Sequence, residues 1–317
     1  MFSFKYKIMR KTKWLIKNLY RLIKNYTFSG KSVKTSPCVI FIFDNDIKHP
    51  GLMDRMKGIV GAYMIAKSNN RSFKILFEPY SELPKYVEPN VVDWKINPED
   101  ISYSLKNSRI INYYGYGKLQ KLNNHVNQYH IYNYSGLDIL LSNGVSDCHE
   151  KWTSHYNALF RPTELLLRYL DELPYQPNHY VAVHLRYVNA LELQEPDYPQ
   201  RPLQKDEGQK LINVCIRAIS VLQKREKLPI LVFSDSNTFL NECKNNGLHV
   251  LKGDIGHISY NPTNDIVKKT FVDLYMISRA KVIYQLNGKH LYKSAFSYYG
   301  ALIGGKKCLR VNLEELE

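Results

Sequence analysis

A histidine and an arginine two residues apart, His184 and Arg186, close the run Tyr180 to Leu185 (YVAVHL). On a strand, residues two apart share a face. The imidazole and the guanidinium would therefore point together. A guanidinium at the carboxyl end of a parallel strand suits a bidentate grip on a diphosphate. Held there, it stabilises negative charge that builds up as a leaving group departs. The competing use of such an arginine is an ion pair with a nearby carboxylate.

Further candidates sit at comparable places. Gly51-Leu52-Met53-Asp54-Arg55 opens a helical pattern, so N–H groups near Gly51 can meet a phosphate or sugar oxygen, with Arg55 adding a cation. Asp44-Asn45-Asp46 spells a DxD whose carboxylates suit a divalent cation on a nucleotide diphosphate, but the same tripeptide suits a cap or a turn. Ser234 and Asp235 follow another apolar run; Asp235 either caps the next helix or bonds a base or ribose hydroxyl. Asp273 lies in a helical segment, and Ser294 and Ser297 stand at the start of a later helix, where hydroxyls and N–H groups suit a phosphate.

These residues are positioned by alternating elements. Continuous β-branched and aromatic runs at 38–43, 73–77, 180–185, 230–233 and 281–285 predict strands buried on both faces, with shorter ones at 110–112, 250–251 and 308–311. Helical patterns cover 53–67, 137–141, 152–172, 206–224, 236–246, 264–279 and 290–302. Strands and helices alternating at this spacing predict doubly wound parallel sheets, which bind ligands beyond the carboxyl ends of their strands.

The 317 residues predict two domains. A hydrophobic share of 44% and a charged share of 23% exclude a wholly disordered chain. The five cysteines form no CxxC pair and no zinc-ligand spacing, and read as free thiols in a reducing compartment. Of the net charge of +15, residues 1–34 hold ten Lys or Arg and no acid, leaving a surplus of five for the rest. Within residues 4–26, Lys13, Lys17 and Arg21 recur at helical spacing, and Leu15, Leu19, Leu22 and Ile23 repeat on another face. This is a basic amphipathic helix that suits a membrane surface, or else packs on the protein's own body. No further basic-aromatic motif extends it toward nucleic acid. No run approaches a spanning helix or a signal-peptide core, which predicts a cytoplasmic chain, peripheral on the inner face of the cell membrane.

Together these motifs resemble the GT-B fucosyltransferase superfamily, which includes α-1,2-, α-1,6- and protein O-fucosyltransferases. Gly51 to Arg55 is similar to its first-domain glycine loop, and Val183-His184-Leu185-Arg186 to its His-x-Arg motif. Phe233-Ser234-Asp235, Asp273 and Ser294 to Ser297 are similar to its later motifs. Where many members carry a second arginine stands Tyr187, and Asn189 replaces a frequent aspartate.

The resemblance implies two Rossmann-like domains facing a central cleft. These are an acceptor domain at 36–172 and a donor domain at 173–317, after an arm and linker at 1–35. It implies GDP-fucose as donor, inversion at the anomeric carbon, and no metal or other required cofactor. Arg186 then contacts the donor β-phosphate, with His184 orienting it or touching the donor. Ser234, Asp235 and Asp273 hold the nucleoside, and Ser294 and Ser297 the diphosphate. Asp54 is the first candidate for general base, with Asp46 and Glu195 behind it. The acceptor is a glycan, and a membrane-bound position suits a lipid-linked one. A GT-B enzyme using another nucleotide sugar, or a non-catalytic membrane-associated protein with a decayed site, remain the alternatives.

Overall fold

The computed structural model describes residues 4–29, 36–44, 50–77, 82–111, 119–132, 137–260 and 262–316. In chain order its elements begin with α1 (Phe4–Asn25), β1 (Cys38–Ile42), α2 (Leu52–Ser68), β2 (Ser72–Leu76), α3 (Leu83–Tyr86), β3 (Val87–Pro89), β4 (Ser108–Ile111) and β5 (Gln128–Ile131). There follow α4 (Leu137–Ser142), α5 (Cys148–Leu159), β6 (Phe160–Pro162), α6 (Glu164–Asp171), β7 (Val181–Leu185), α7 (Lys205–Arg225) and β8 (Ile230–Ser234). The chain closes with α8 (Asn237–Asn245), β9 (His249–Val250), α9 (Asn264–Arg279), β10 (Val282–Asn287), α10 (Ala295–Ile303) and β11 (Cys308–Asn312). It divides into two compact units: residues 1–47, 56–80 and 92–146, and residues 48–55, 81–91 and 147–317. Residues 147–172, predicted with the first domain, thus pack with the second unit.

The first unit is built on a four-stranded parallel sheet ordered β2-β1-β5-β4. β1 is CVIFI, buried throughout, as expected of a central parallel strand. β5 reads QYHI and is equally buried, so polar groups must be satisfied inside. Gln128 accepts from the N–H of Ser102 at 2.7 Å and donates to the carbonyl of Asp100 at 2.7 Å. His130 Nδ1 shares a 2.5 Å hydrogen bond with the Tyr26 hydroxyl.

Helix α1 departs from the sequence-based expectation in one respect. Arg21, read there as one of a row of recurring cations, is 1% exposed. Its Nε donates to Asp44 at 2.6 Å, and its guanidinium lies 4.5 Å from the ring centre of Tyr132. The first carboxylate of the DxD therefore holds this helix; Asn45 and Asp46 lie outside the described residues.

The second unit carries a five-stranded parallel sheet, β11-β10-β7-β8-β9, and a short antiparallel pair, β3 with β6. β7 and β8 are buried at every position. The flanking helices start on side-chain caps: Thr163, Ser236, Thr263 and Ser294 accept from the N–H groups of Leu166, Phe239, Ile266 and Phe296. α7 follows the helix dipole, with Asp206 and Glu207 in its first turn and Lys224 and Arg225 in its last. Only glycine fits at 304, where a Cβ would lie 2.0 Å from the Ser278 carbonyl oxygen. The stretch 152–172, expected as one or two helices, is two, α5 and α6, with β6 between them. The helix predicted from 290 begins at 295. No described helix is long and apolar enough to cross a membrane.

Candidate functional site

Within the second unit, the carboxyl ends of β7 and β8 open into a cavity of about 390 Å³. Its walls come from the first turn of α2, the residues after β7 and β8, the 255–260 loop, α9 and the start of α10.

Arg186 follows the last residue of β7 and faces this cavity. Its Nη2 donates to Glu195 at 2.8 Å, and its Nε lies 3.8 Å from Asp235. Burial works against its charge, whereas Glu195, then Asp235 and Asp54, hold it firmly protonated. The guanidinium is thus paired, but with carboxylates at the opening rather than in the core. Its side chain remains 29% exposed. His184, on the same face of the strand, is 4% exposed and lines the cavity too. Burial, helped by Arg186, pulls its pKa down to about 3, so the ring is neutral. Its Nδ1 has no hydrogen-bond partner among the described residues.

The neighbouring positions explain themselves by strand alternation. Tyr187 points the other way, fully buried, with its ring 5.1 Å from Phe239. Asn189, also fully buried, stitches the following loop. Its amide donates to the carbonyls of Glu195 and Gln200, and its Oδ1 accepts from the N–H groups of Gln194 and Glu195. That loop carries Glu195 to Arg186.

Asp235 has a backbone task. Its two carboxylate oxygens accept from the N–H groups of Tyr187 at 2.7 Å and Val188 at 2.9 Å. Val188 has a φ of 57°, a left-handed conformation costly for a β-branched residue. Asp235 therefore fixes the turn beside Arg186 while still lining the cavity. Burial pushes its pKa up to about 6, against the two N–H bonds and Arg186. Capping of α8, the other use considered for Asp235, is instead performed by Ser236 and by Glu192, which accepts from the N–H groups of Asn237 and Thr238.

The remaining predicted residues divide. Gly51, Asp54, Ser234, Asp273 and Ser294 line the cavity. A Cβ at Gly51 would come 3.2 Å from His257 Nε2, so glycine keeps this wall open. Asp273 is committed to Lys269, one turn earlier on α9, whose Nζ donates to both its oxygens at 2.7 and 2.6 Å. Burial still pushes the Asp273 pKa upward. Arg55 and Ser297 do not line the cavity. Arg55 Nε donates to the Pro50 carbonyl at 2.8 Å, and Ser297, fully buried, accepts from Gln285 at 2.7 Å. Among the described residues no group of three metal-ligating side chains is arranged to hold an ion.

The 255–260 wall carried no sequence signal. It is fixed by Asn237, whose amide donates to the Ile255 carbonyl and whose Oδ1 accepts from the Ile255 N–H, both at 2.9 Å. It brings His257 and Tyr260 to the cavity in edge-to-face contact.

Chemically, the cavity offers one guanidinium, the neutral imidazole of His184, the imidazole of His257, and the starts of α2 and α10, where the Asp54 and Phe296 N–H groups already donate to the Gly51 carbonyl and the Ser294 hydroxyl. The carboxylates of Asp54, Asp235 and Glu195 face the guanidinium.

No family model and no curated protein sequence matches the chain. Solved structures do. A mutant of the fucosyltransferase FUT1 of Arabidopsis thaliana, in complex with GDP, is 14% identical, covering 93% of this chain and 74% of its own, with a TM-score of 0.50. The α-1,6-fucosyltransferase NodZ soaked with GDP-fucose is 14% identical over 85% of this chain and 93% of its own, with a TM-score of 0.54. NodZ from Bradyrhizobium is 12% identical over 85% and 94%, again at 0.54. The chain shares the α/β fold of these fucosyltransferase structures.

Proposed function

We propose that this fold carries out inverting glycosyl transfer, with the two units in a GT-B arrangement, moving fucose from GDP-fucose to a hydroxyl of a glycan acceptor. The observation that carries the proposal is the position of Arg186. A guanidinium ends the central strand of a parallel sheet, facing a cavity also lined by the first turns of two helices. Such sites favour a diphosphate. The solved relatives of this fold include complexes with GDP and a crystal soaked with GDP-fucose.

In this mechanism the acceptor oxygen attacks the anomeric carbon from the face opposite the diphosphate. The bond from that carbon to the β-phosphate oxygen breaks, and its electron pair leaves with the phosphate. Arg186 and the N–H groups at the start of α10 stabilise that charge. The acceptor proton passes to a carboxylate. Asp54 and Glu195 both line the cavity and are the candidates; Asp46 lies outside the described residues. Ser234, Asp235 and Asp273 form the nucleoside side. Both aspartates already accept hydrogen bonds and act from fixed positions, each carboxylate having lone pairs to spare. His184, neutral and lining the cavity beside Arg186, orients that arginine or touches the donor. No step calls on a metal.

The test is donor turnover by purified protein. GDP-fucose should release GDP, slowly to water and faster with a suitable acceptor, and UDP-linked sugars should not be consumed. Turnover of a UDP-sugar in preference would replace GDP-fucose with another donor. Absence of turnover with every nucleotide sugar, in protein that melts cooperatively, would leave a fold without this activity.

A further inference from the structure

Helix α1 is amphipathic the wrong way round for a helix that only packs on its own protein. Among its described side chains the buried ones are polar, Asn18 and Arg21, at 4% and 1% exposure. Leu15, Ile16, Leu19, Tyr20 and Ile23 are exposed, from 52% to 76%, and Phe28 beyond the helix is 79% exposed. At 3.6 residues per turn, positions 15, 16, 19, 20 and 23 fall within an arc of about 140°. Isolated exposed leucines are ordinary, but a contiguous apolar stripe needs a partner.

The charge pattern says which partner. Positions 10, 13, 17 and 24, all Lys or Arg, follow one another along one edge of the stripe. The segment 1–34 holds ten cations and no acid. Apolar burial with a cationic border is the arrangement that seats a helix in the headgroup plane of an anionic bilayer. A second copy of the chain would bring an equally cationic surface against this one, and a nucleic acid would leave the apolar stripe in water. The Arg21–Asp44 ion pair, at 2.6 Å, fixes the opposite face to the first unit and turns the stripe outward.

We infer that α1 is a lipid-docking helix, binding anionic membrane surfaces through the 15–23 stripe. This is independent of what the cavity transfers.

The test uses the full chain and sedimentation with phosphatidylglycerol-containing vesicles, against vesicles of phosphatidylcholine alone. Two variants are compared: L15S/I16S/L19S/I23S, which removes the stripe, and K13E/K17E/K24E, which reverses the cationic edge. The wild type should pellet with the anionic vesicles. Each variant should bind them at least about tenfold more weakly, and the wild type should bind phosphatidylcholine about tenfold more weakly. The stripe is mostly exposed, so the serine variant should melt within a few degrees of the wild type. Anionic-vesicle binding that is absent in the wild type, or unchanged in the serine variant, overturns the inference. A serine variant that melts far below the wild type overturns it too, since the stripe would then be packed on the protein. So does a wild-type dimer that the serine variant converts to monomer while vesicle binding persists.

Discussion

Replacing Arg186 by alanine separates its structural and chemical roles. The change leaves Glu195, 14% exposed, without the guanidinium 2.8 Å away, and removes the cation that also faces Asp235 and Asp54. Stranding one partner of a fully buried pair costs about 3–5 kcal/mol, and an exposed pair is worth under about 1. This half-buried pair lies between them, at roughly 1–3 kcal/mol. A loss of that size is visible in chemical denaturation. The double variant R186A/E195Q removes the stranded charge and should recover most of it. Transfer should behave otherwise. Removing a group that stabilises the charge developing on the leaving diphosphate costs about 10²–10³-fold in turnover, and E195Q cannot restore it. The assay is GDP release from GDP-fucose beside an unfolding curve for each variant. Turnover of folded R186A within about tenfold of the wild type would refute the reasoning. So would recovery of turnover together with stability in the double variant, since the ion pair would then be the whole role.

Asp235→Asn can keep only one of the two N–H acceptances at Tyr187 and Val188, so the turn beside Arg186 should loosen and GDP affinity fall about 5–20-fold, read by calorimetry. Because its folded pKa, about 6, stands above the ordinary 3.8, the stability Asp235 contributes is complete below about pH 3.8 and is lost as pH rises through about 6. Unfolding curves should therefore show the wild type losing ground to D235N between those values, by on the order of 2 kcal/mol. Lys269→Met strands Asp273, both partners being 7% exposed, and should destabilise the chain by about 3–5 kcal/mol, with K269M/D273N recovering most of it in the same assay. Ser297→Ala should cost about 1–2 kcal/mol through Gln285 and leave GDP affinity unchanged, contrary to the phosphate contact its sequence position suggested.

Where a strand is buried on both faces by apolar residues, its sequence announces it. β1, β7 and β8 were legible for that reason, and legible strands in a parallel sheet point to their own carboxyl ends. That reasoning located Arg186, His184, Ser234 and Asp235 together, with Gly51 and Asp54 at the start of α2. β5 escaped because Gln128 and His130 are buried through hydrogen bonds to residues distant in sequence, which no local period reveals. The 255–260 wall escaped because a single side chain, Asn237, fixes it. Direction was harder than position. Ser297 and Arg55 lie next to cavity residues and turn inward. The burial of Arg21 was hidden because its partner, Asp44, is 23 residues away and reads as half of a metal motif. The Lys269–Asp273 pair was a missed contact with a local signal, since residues four apart on a helix are neighbours.

The account stands on a guanidinium at the end of β7 gripping a leaving diphosphate. Titration calorimetry of the purified chain with GDP, repeated with UDP and with R186A, tests this most directly. The prediction is saturable one-to-one binding of GDP, much weaker binding of UDP, and a loss of at least about 30-fold in GDP affinity for folded R186A, set by the loss of one charge-assisted hydrogen-bonding group. Equal affinity of wild type and R186A for GDP would contradict it.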